Sequence, residues 1–148
     1  MIKIYLNGKD ISTEYNAKAL EGTEGAICSP AKMKDYVSNE NEALDGKVIL
    51  GGYARVRSRD FTIPIKVAGS TATDYYTSKD KLENDLMTLG LTTLRVARID
   101  GDTTVFDKTL SVVYKDCTEY INYNGKWGTL MLVFEEPNPK NRVNNKEE

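Results

Sequence analysis

The sequence predicts a mainly β (α+β) fold: an antiparallel β-sandwich or split barrel with one amphipathic helix packed on it. Three observations lead to this prediction. Apolar residues alternate over 61–67, turn signals lie at 100–101 and 124–125, and a leucine stripe has helical spacing over 82–89. The strands form hairpins that the helix interrupts midway, an order typical of curled or packed antiparallel sheets. We predict a single β-rich domain over residues 1–140 and a flexible polar tail over 141–148.

The composition indicates a folded, water-soluble protein without a strong electrostatic field of one sign. The 148 residues suffice for one domain with its own core. Twenty Lys and Arg against 22 Asp and Glu give a net charge of −2, so we expect no nucleic-acid recognition. No apolar run reaches the roughly 18 residues of a membrane span, and the first residues lack a signal-peptide core. We therefore expect a cytoplasmic protein that does not bind membranes.

The residue types limit the possible chemistry. The chain has no histidine, the commonest general base, and Cys28 and Cys117 belong to no zinc or redox motif. Patterns for phosphate loops, dinucleotide folds, nucleophile elbows and zinc proteases do not occur. Asp100 and Asp102 flank a turn glycine, a position that Asp favours for conformational reasons. We predict no enzyme activity, no catalytic, cofactor-binding or metal-binding residues, and no cofactor.

The first elements are a short strand over 3–6, with Ile4 and Leu6 on one side, and a turn over 7–10. Residues 14–30 have no clear period and indicate at most a strand near 18–21. A second strand is predicted over 31–37. The polar residues 38–46 that follow predict an exposed loop, which ends in a small apolar group at 48–50.

Residues 53–68 predict a half-buried strand. One face of it carries Phe61, Ile63, Ile65 and Val67. Pro64 lies on the other face and cannot donate to a ladder, which favours an edge position or a bulge. The alternating Arg55, Arg57 and Arg59 are typical of a solvated strand face; an anion site is the alternative interpretation.

A flexible link over 69–73 is expected to precede the helix, which Thr77 and Asp80 begin as a capping box. The apolar stripe is Leu82, Leu86 and Leu89. Gly90 suits the left-handed residue after the helix, and we expect Leu91 to fold back on the last turn.

Two hairpins follow the helix. The first joins strands over 92–99 and 103–114 through the turn at 100–101, and the second joins strands over 117–123 and 127–134 through the turn at 124–125. In the last strand, one face carries Leu130, Leu132 and Phe134 and the other carries Met131 and Val133. This strand is therefore expected to be covered on both sides.

Apolar residues beside polar loops and tight turns suggest a surface that another subunit covers. We predict an interface formed by Leu44, Val48, Ile49, Leu50, Tyr53, Tyr120 and Tyr123.

Four parts of the sequence resemble the phage tail tube and distal tail (baseplate hub) proteins of long-tailed phages. They are the alternating strand at 59–67, the link at 69–70 leading into a helix that ends at 86–90, the hairpin around 100–101, and the final strand at 128–134 with its exit at 137–139. The resemblance spans about residues 50 to 140.

This resemblance implies a structural tail subunit of a phage or prophage. It implies a hexameric ring, partners that are copies of the chain and other tail proteins, and a loop over 38–52 that reaches a neighbour. Assembly in the host cytoplasm would then place the protein in the virion tail. The alternative is a monomeric β-domain that binds a small ligand or glycan through tyrosines and Trp127.

Overall fold

The computed structural model describes residues 1–31, 33–34, 37–40, 47–50 and 55–145, with backbone alone for the two four-residue segments. In chain order the elements are β1 (Ile2–Leu6), β2 (Lys9–Asp10), α1 (Ile11–Glu14), β3 (Ala17–Ala19), α2 (Thr23–Cys28), β4 (Val37–Glu40), β5 (Lys47–Leu50), β6 (Arg59–Ala68), α3 (Ala72–Thr88), β7 (Leu91–Asp100), β8 (Thr103–Tyr123), β9 (Trp127–Glu136), a 3-10 turn (Pro139–Asn141) and β10 (Val143–Asn144).

Within the described residues, eight strands form one antiparallel sheet. Seven of them follow the order β2-β1-β7-β8-β9-β6-β3, and β10 pairs with β8. The sheet curls into a half-barrel around α3, which confirms the predicted mainly antiparallel β fold with a packed helix. Both predicted hairpins are present, β7 with β8 and β8 with β9.

The strand β8 is shared between the two hairpins. Its residues from Thr103 to Val113 pair with β7, and those from Val113 to Tyr123 pair with β9. Two irregularities, between Tyr114 and Asp116 and between Cys117 and Glu119, interrupt the second ladder. Such bulges bend a strand, so one continuous strand serves both halves of the curled sheet.

The core fills the concave side of the sheet. The predicted apolar face of β6 is buried, and the ring of Phe61 stacks on that of Phe134 with centroids 6.0 Å apart. Pro64 lies one residue beyond the ladder between β3 and β6, so its missing N–H removes no bond from that ladder. Met131 and Val133 on the other face of β9 are half-buried. The predicted inner face is thus confirmed, and the outer face is partly covered.

The helix α3 begins earlier than predicted. Its N-cap is Thr71, whose hydroxyl accepts a bond from the N–H of Asp74 at 3.1 Å, so the proposed start at Thr77 and the flexible link over 69–73 were wrong. The side chains of Tyr75, Ser78, Leu82 and Leu86 are buried, and Leu89 packs against the core. Gly90, at φ 60°, ends the helix as predicted. Leu91 is 66% exposed and does not fold back.

The residues before β6 differ most from expectation. Two short helices, α1 and α2, flank β3, where the sequence indicated only a weak strand. Residues 38–40, expected to belong to an exposed loop, are part of a strand over 37–40 that pairs with residues 47–50 as an antiparallel ribbon. Leu44 and Tyr53 lie outside the described residues. The strand predicted from residue 53 begins at Arg59, preceded by an isolated bridge between Met33 and Val56.

Arg59 is buried, not solvated as its alternation with Arg55 and Arg57 suggested. Its Nε lies 3.3 Å from Oε1 of Glu136, which is 0% exposed. Arg142 binds both oxygens of the same carboxylate, at 2.7 and 2.8 Å. Burial, followed by the charge of Arg142, lowers the pKa of Arg59. This cluster attaches the segment after β9 to the body of the domain.

The region predicted as a flexible tail is described as far as Asn145. Over this part Val143 and Asn144 pair with Thr109 and Lys108 of β8, and the side chain of Asn145 donates to Asp107 and Thr109.

Candidate subunit interface

The structure describes part of the predicted interface. Tyr120 and Tyr123 lie near the end of β8, and each is 39% exposed. Val48, Ile49 and Leu50 lie in β5, whose side chains are outside the described part. Leu44 and Tyr53 are outside it altogether. The side chains that can be placed therefore concentrate at the turn between β8 and β9.

Tyr120 and Tyr123 form a cluster with three neighbours that the prediction did not include. We define the hairpin tip cluster as Tyr76, Tyr120, Ile121, Tyr123 and Trp127. Tyr120 pairs across the strands with Leu130, on the buried face of β9, whereas Ile121 pairs with Thr129 on the opposite face. Because residues directly opposite each other share a face, the cluster covers both faces of the hairpin end.

On the outer face, two aromatic rings lie against each other. The rings of Tyr123 and Trp127 are cross-strand partners and stack with centroids 3.7 Å apart and an angle of 16° between planes. The Lys66 ammonium lies 4.4 Å from the Trp127 centroid. A ring in contact with another ring on one side can accept a cation only on the other. Both faces of the Trp127 ring are therefore occupied.

On the helix side, a buried tyrosine fixes an exposed one. Tyr75 of α3 is fully buried, and its hydroxyl lies 2.5 Å from that of Tyr120. Burial, followed by this hydrogen bond, raises the pKa of Tyr75, so its hydroxyl stays neutral at physiological pH. The side-chain amide of Asn122 donates to the Tyr76 hydroxyl at 2.9 Å. The exposed rings are thus held in place before any partner binds, which lowers the entropic cost of association.

Two glycines make this arrangement possible. A Cβ on Gly128 would overlap the hydroxyl of Tyr75 and approach the carbonyl oxygen of Ile121 to 3.0 Å. Gly125 lies under the Tyr76 ring, and its φ of 70° completes the turn with Asn124. The glycines therefore let α3 pack closely against the hairpin.

The cluster lies beside an open strand edge. The last β8 residue that pairs with β7 is Val113, and from Tyr114 to Tyr123 the described residues provide a hydrogen-bonded neighbour, β9, on one side of β8. An unpaired edge can accept a further strand. A strand added here would lie next to Tyr120 on one face and next to Ile121 and Tyr123 on the other.

Two ammonium groups lie against rings of the cluster, that of Lys66 against Trp127 and that of Lys79 against Tyr120. Lys79 lies 4.9 Å from the centroid of the Tyr120 ring. Burial is the largest single influence on the pKa of Lys79 and acts to lower it, but the hydrogen bond and charge of Glu83, together with Tyr120 and Asp80, outweigh burial and raise the pKa overall. The surface therefore combines aromatic rings with the ammonium groups of Lys66 and Lys79, and aromatic residues are enriched at the centre of protein interfaces.

Within the described residues, no group of three or more Cys, Asp or Glu side chains is placed to hold a metal ion. Over the same part of the chain, no helix combines the length and apolar character that crossing a membrane requires. A cleft of about 760 Å³ does lie between β1 and β3, near the two ends of the curled sheet, with Ile2, Ile4, Ala17 and Leu20 in its wall.

The sequence missed Tyr76 because the helix was expected to begin after it. Thr71 and Asp74 have the same spacing as Thr77 and Asp80, and this earlier pair could have indicated the true start of the helix. The sequence indicated Trp127 for ligand binding and not for an interface.

Comparison with known proteins identifies the architecture. No protein-family model and no curated protein matches the sequence. Among solved structures, the chain is similar to the SPP1 Dit (gp 19.1) protein, described as a paradigm of the hub adsorption apparatus in phages that infect Gram-positive bacteria. The TM-score is 0.57 at 16% identity, and the match covers 91% of this chain and 49% of the SPP1 Dit chain. This chain therefore spans about half the length of that protein. At this identity the chain shares the fold of a phage tail hub protein.

Proposed function

We propose that this chain is a structural subunit of a phage or prophage tail, of the distal tail or tail tube kind. It assembles with copies of itself and with other tail proteins, first in the host cytoplasm and then in the virion tail. The observation that carries this proposal is the fold likeness to the SPP1 Dit protein over 91% of the chain. It agrees with the resemblance that the sequence motifs indicated.

The geometry supports assembly as the task of the domain. The hairpin tip cluster places aromatic side chains on the surface in fixed positions, beside an open strand edge. Buried aromatic residues provide much of the binding energy of protein interfaces, and an open edge supplies backbone bonds. We propose that this end of the hairpin contacts a neighbouring subunit, and that repetition of one such contact around an axis closes a ring, with six copies as the expected number.

The ribbon of β4 and β5 is proposed as a second contact. An isolated two-stranded ribbon is marginally stable in water, so it gains from packing on another surface. Its residues Val48, Ile49 and Leu50, with Leu44 and Tyr53 nearby in the sequence, remain predicted interface residues.

A second candidate function is binding of a small ligand by a monomer. The cleft between β1 and β3 favours it, because about 760 Å³ with partly apolar walls is within the usual range for ligand sites. Glycan stacking on Trp127 has less support, since both faces of that ring are occupied.

Light scattering after size exclusion, at several protein concentrations, separates the two functions. If the chain assembles, its measured mass should rise with concentration to the mass of a ring of subunits. Such rings would be visible as closed particles by negative-stain microscopy. Ile49→Asp is expected to lower that mass without changing the melting temperature. A monomer at every concentration, alone and with other tail proteins, would contradict the proposed function.

A further inference from the structure

A second surface of the protein carries concentrated positive charge. A cleft of about 410 Å³ lies where the segment before β6 meets the segment after β9. Among the described residues that line it, the ionisable side chains are Lys34, Arg55 and Lys140, all basic, and Val56 and Pro137 add apolar surface. In a chain of net charge −2, this places positive charge on one surface and leaves an excess of negative charge elsewhere.

Backbone bonds fix the walls of the cleft. The N–H of Lys34 donates to the carbonyl of Arg55 at 2.8 Å, and Met33 bridges to Val56. On the other wall, the Asn138 side chain accepts a bond from the N–H of Lys140 at 3.1 Å and begins the 3-10 turn. Lys34 and Arg55 therefore project from two segments whose backbones are hydrogen-bonded to each other, and Lys140 projects from a third segment in the wall.

The interior next to the cleft is also positive. Ser58 in the wall precedes Arg59, and Pro137 follows Glu136. Arg59 and Arg142 both face the single carboxylate of Glu136, so this buried cluster has an excess of one positive charge. A charge in a partly buried place is screened less by salt than one on an open surface. The cluster therefore adds to the attraction that the cleft exerts on an anion.

We propose that this cleft binds a short acidic segment of a partner protein. Glu and Asp side chains would pair with Lys34 and Arg55, while the intervening carbon atoms contact Val56 and Pro137. Single-stranded nucleic acid is a weaker fit, since sites for it use aromatic rings for stacking and none lines the described part of the cleft. The proposal concerns a different surface from the hairpin tip cluster, so it can hold or fail independently of the proposed function.

Fluorescence anisotropy with a labelled hexaglutamate peptide and the full chain tests this proposal. We expect binding at low salt that weakens as salt rises, because the contacts are ionic. The variant Lys34→Glu with Arg55→Glu should bind about tenfold more weakly, equivalent to about 1.4 kcal/mol. The matched control is Lys9→Glu with Lys18→Glu, two exposed lysines of β2 and β3 with the same change in net charge. It should stay within about twofold of the unmodified chain.

Three outcomes would overturn the proposal. One is the absence of peptide binding by the unmodified, folded chain. Another is an equal loss of affinity in both double variants, because net charge and not the cleft would then determine binding. The third is tighter binding of an oligothymidylate of equal charge that depends on Lys34 and Arg55, which would make the cleft a nucleic-acid site. Circular dichroism melts of both double variants show that each remains folded.

Discussion

The hydroxyl of Tyr75, fully buried in α3, lies 2.5 Å from the hydroxyl of Tyr120 near the end of β8. This contact joins the core to the exposed surface. Tyr75 cannot change its position without disturbing the helix packing, and Tyr120 is held by it. The conformation of the hairpin tip cluster therefore depends on the packing of the core.

Gly128→Ala should destabilise the fold by about 1–3 kcal/mol, the usual cost of overpacking. The added Cβ would overlap the Tyr75 hydroxyl and press on the Ile121 carbonyl. Combining it with Tyr75→Phe removes the main clashing atom, so the two effects should be less than additive in urea denaturation. Gly25→Ala is the control, because Gly25 lies in α2 with open space around it. Equal losses for Gly128→Ala and Gly25→Ala would contradict the packing described here.

Ile121→Asp should weaken self-association while leaving the melting temperature nearly unchanged. Ile121 is 38% exposed in the free subunit, so a charge there costs little until a partner covers it. Val105→Asp is the matched control, since Val105 is 39% exposed in the other half of β8. Light scattering after size exclusion measures both variants. An equal effect of the two substitutions would argue against a specific contact at the hairpin tip cluster.

Glu136→Gln should cost about 3–5 kcal/mol of stability, because it leaves Arg59 and Arg142 without a compensating charge. Glu135→Gln, one residue earlier on the half-buried opposite face of β9, should change stability by about 0.5 kcal/mol or less. Chemical denaturation compares the two. A further readout is proteolysis after residue 137, which should become faster only in Glu136→Gln because Arg142 loses its charged partner.

Asp107 should contribute to acid sensitivity. Its bonds to Arg95, at 2.6 and 2.9 Å, lower its pKa; burial opposes this effect and Asn145 adds to it. A carboxyl group with a lower pKa in the folded state stabilises the fold above its ordinary pKa of about 4 and loses that contribution as the pH falls toward the folded value.

Asp107→Asn should therefore flatten the decrease in melting temperature below about pH 4. Arg95→Gln should flatten it to a similar extent, and the double variant should add little, because both substitutions remove the same pair. Thermal melts across the acid range measure the effect. Unchanged acid sensitivity in both single variants would exclude this pair as a source of it.

The elements that were predicted correctly from the sequence are those that residues close together in the chain specify. The alternation in β6 and the turn residues of both hairpins are set by neighbours in the chain, and the structure confirms them. The predicted start of α3 was wrong because two pairs of Thr and Asp in the sequence have the same spacing. Tertiary contacts decide between them, since Tyr75 must lie within the helix to pack against Gly128.

The remaining features depend on residues far apart in sequence. In the sequence pattern, Arg59 cannot be distinguished from Arg55 and Arg57. Only the fold places it beside Glu136, which also binds Arg142. The ribbon of β4 and β5 has a largely polar first strand without alternation, so only its pairing reveals it. Tyr120 and Tyr123 are each 39% exposed, and their roles in a subunit contact remain predictions.

The long strand β8 has a consequence for unfolding. Its two halves each complete a different ladder, so neither half of the sheet has all of its hydrogen-bonded neighbours without it. The amide protons of β7 and β9 should therefore exchange with solvent through one cooperative opening. A chain divided near Asp116 would leave two fragments that each lack part of their core.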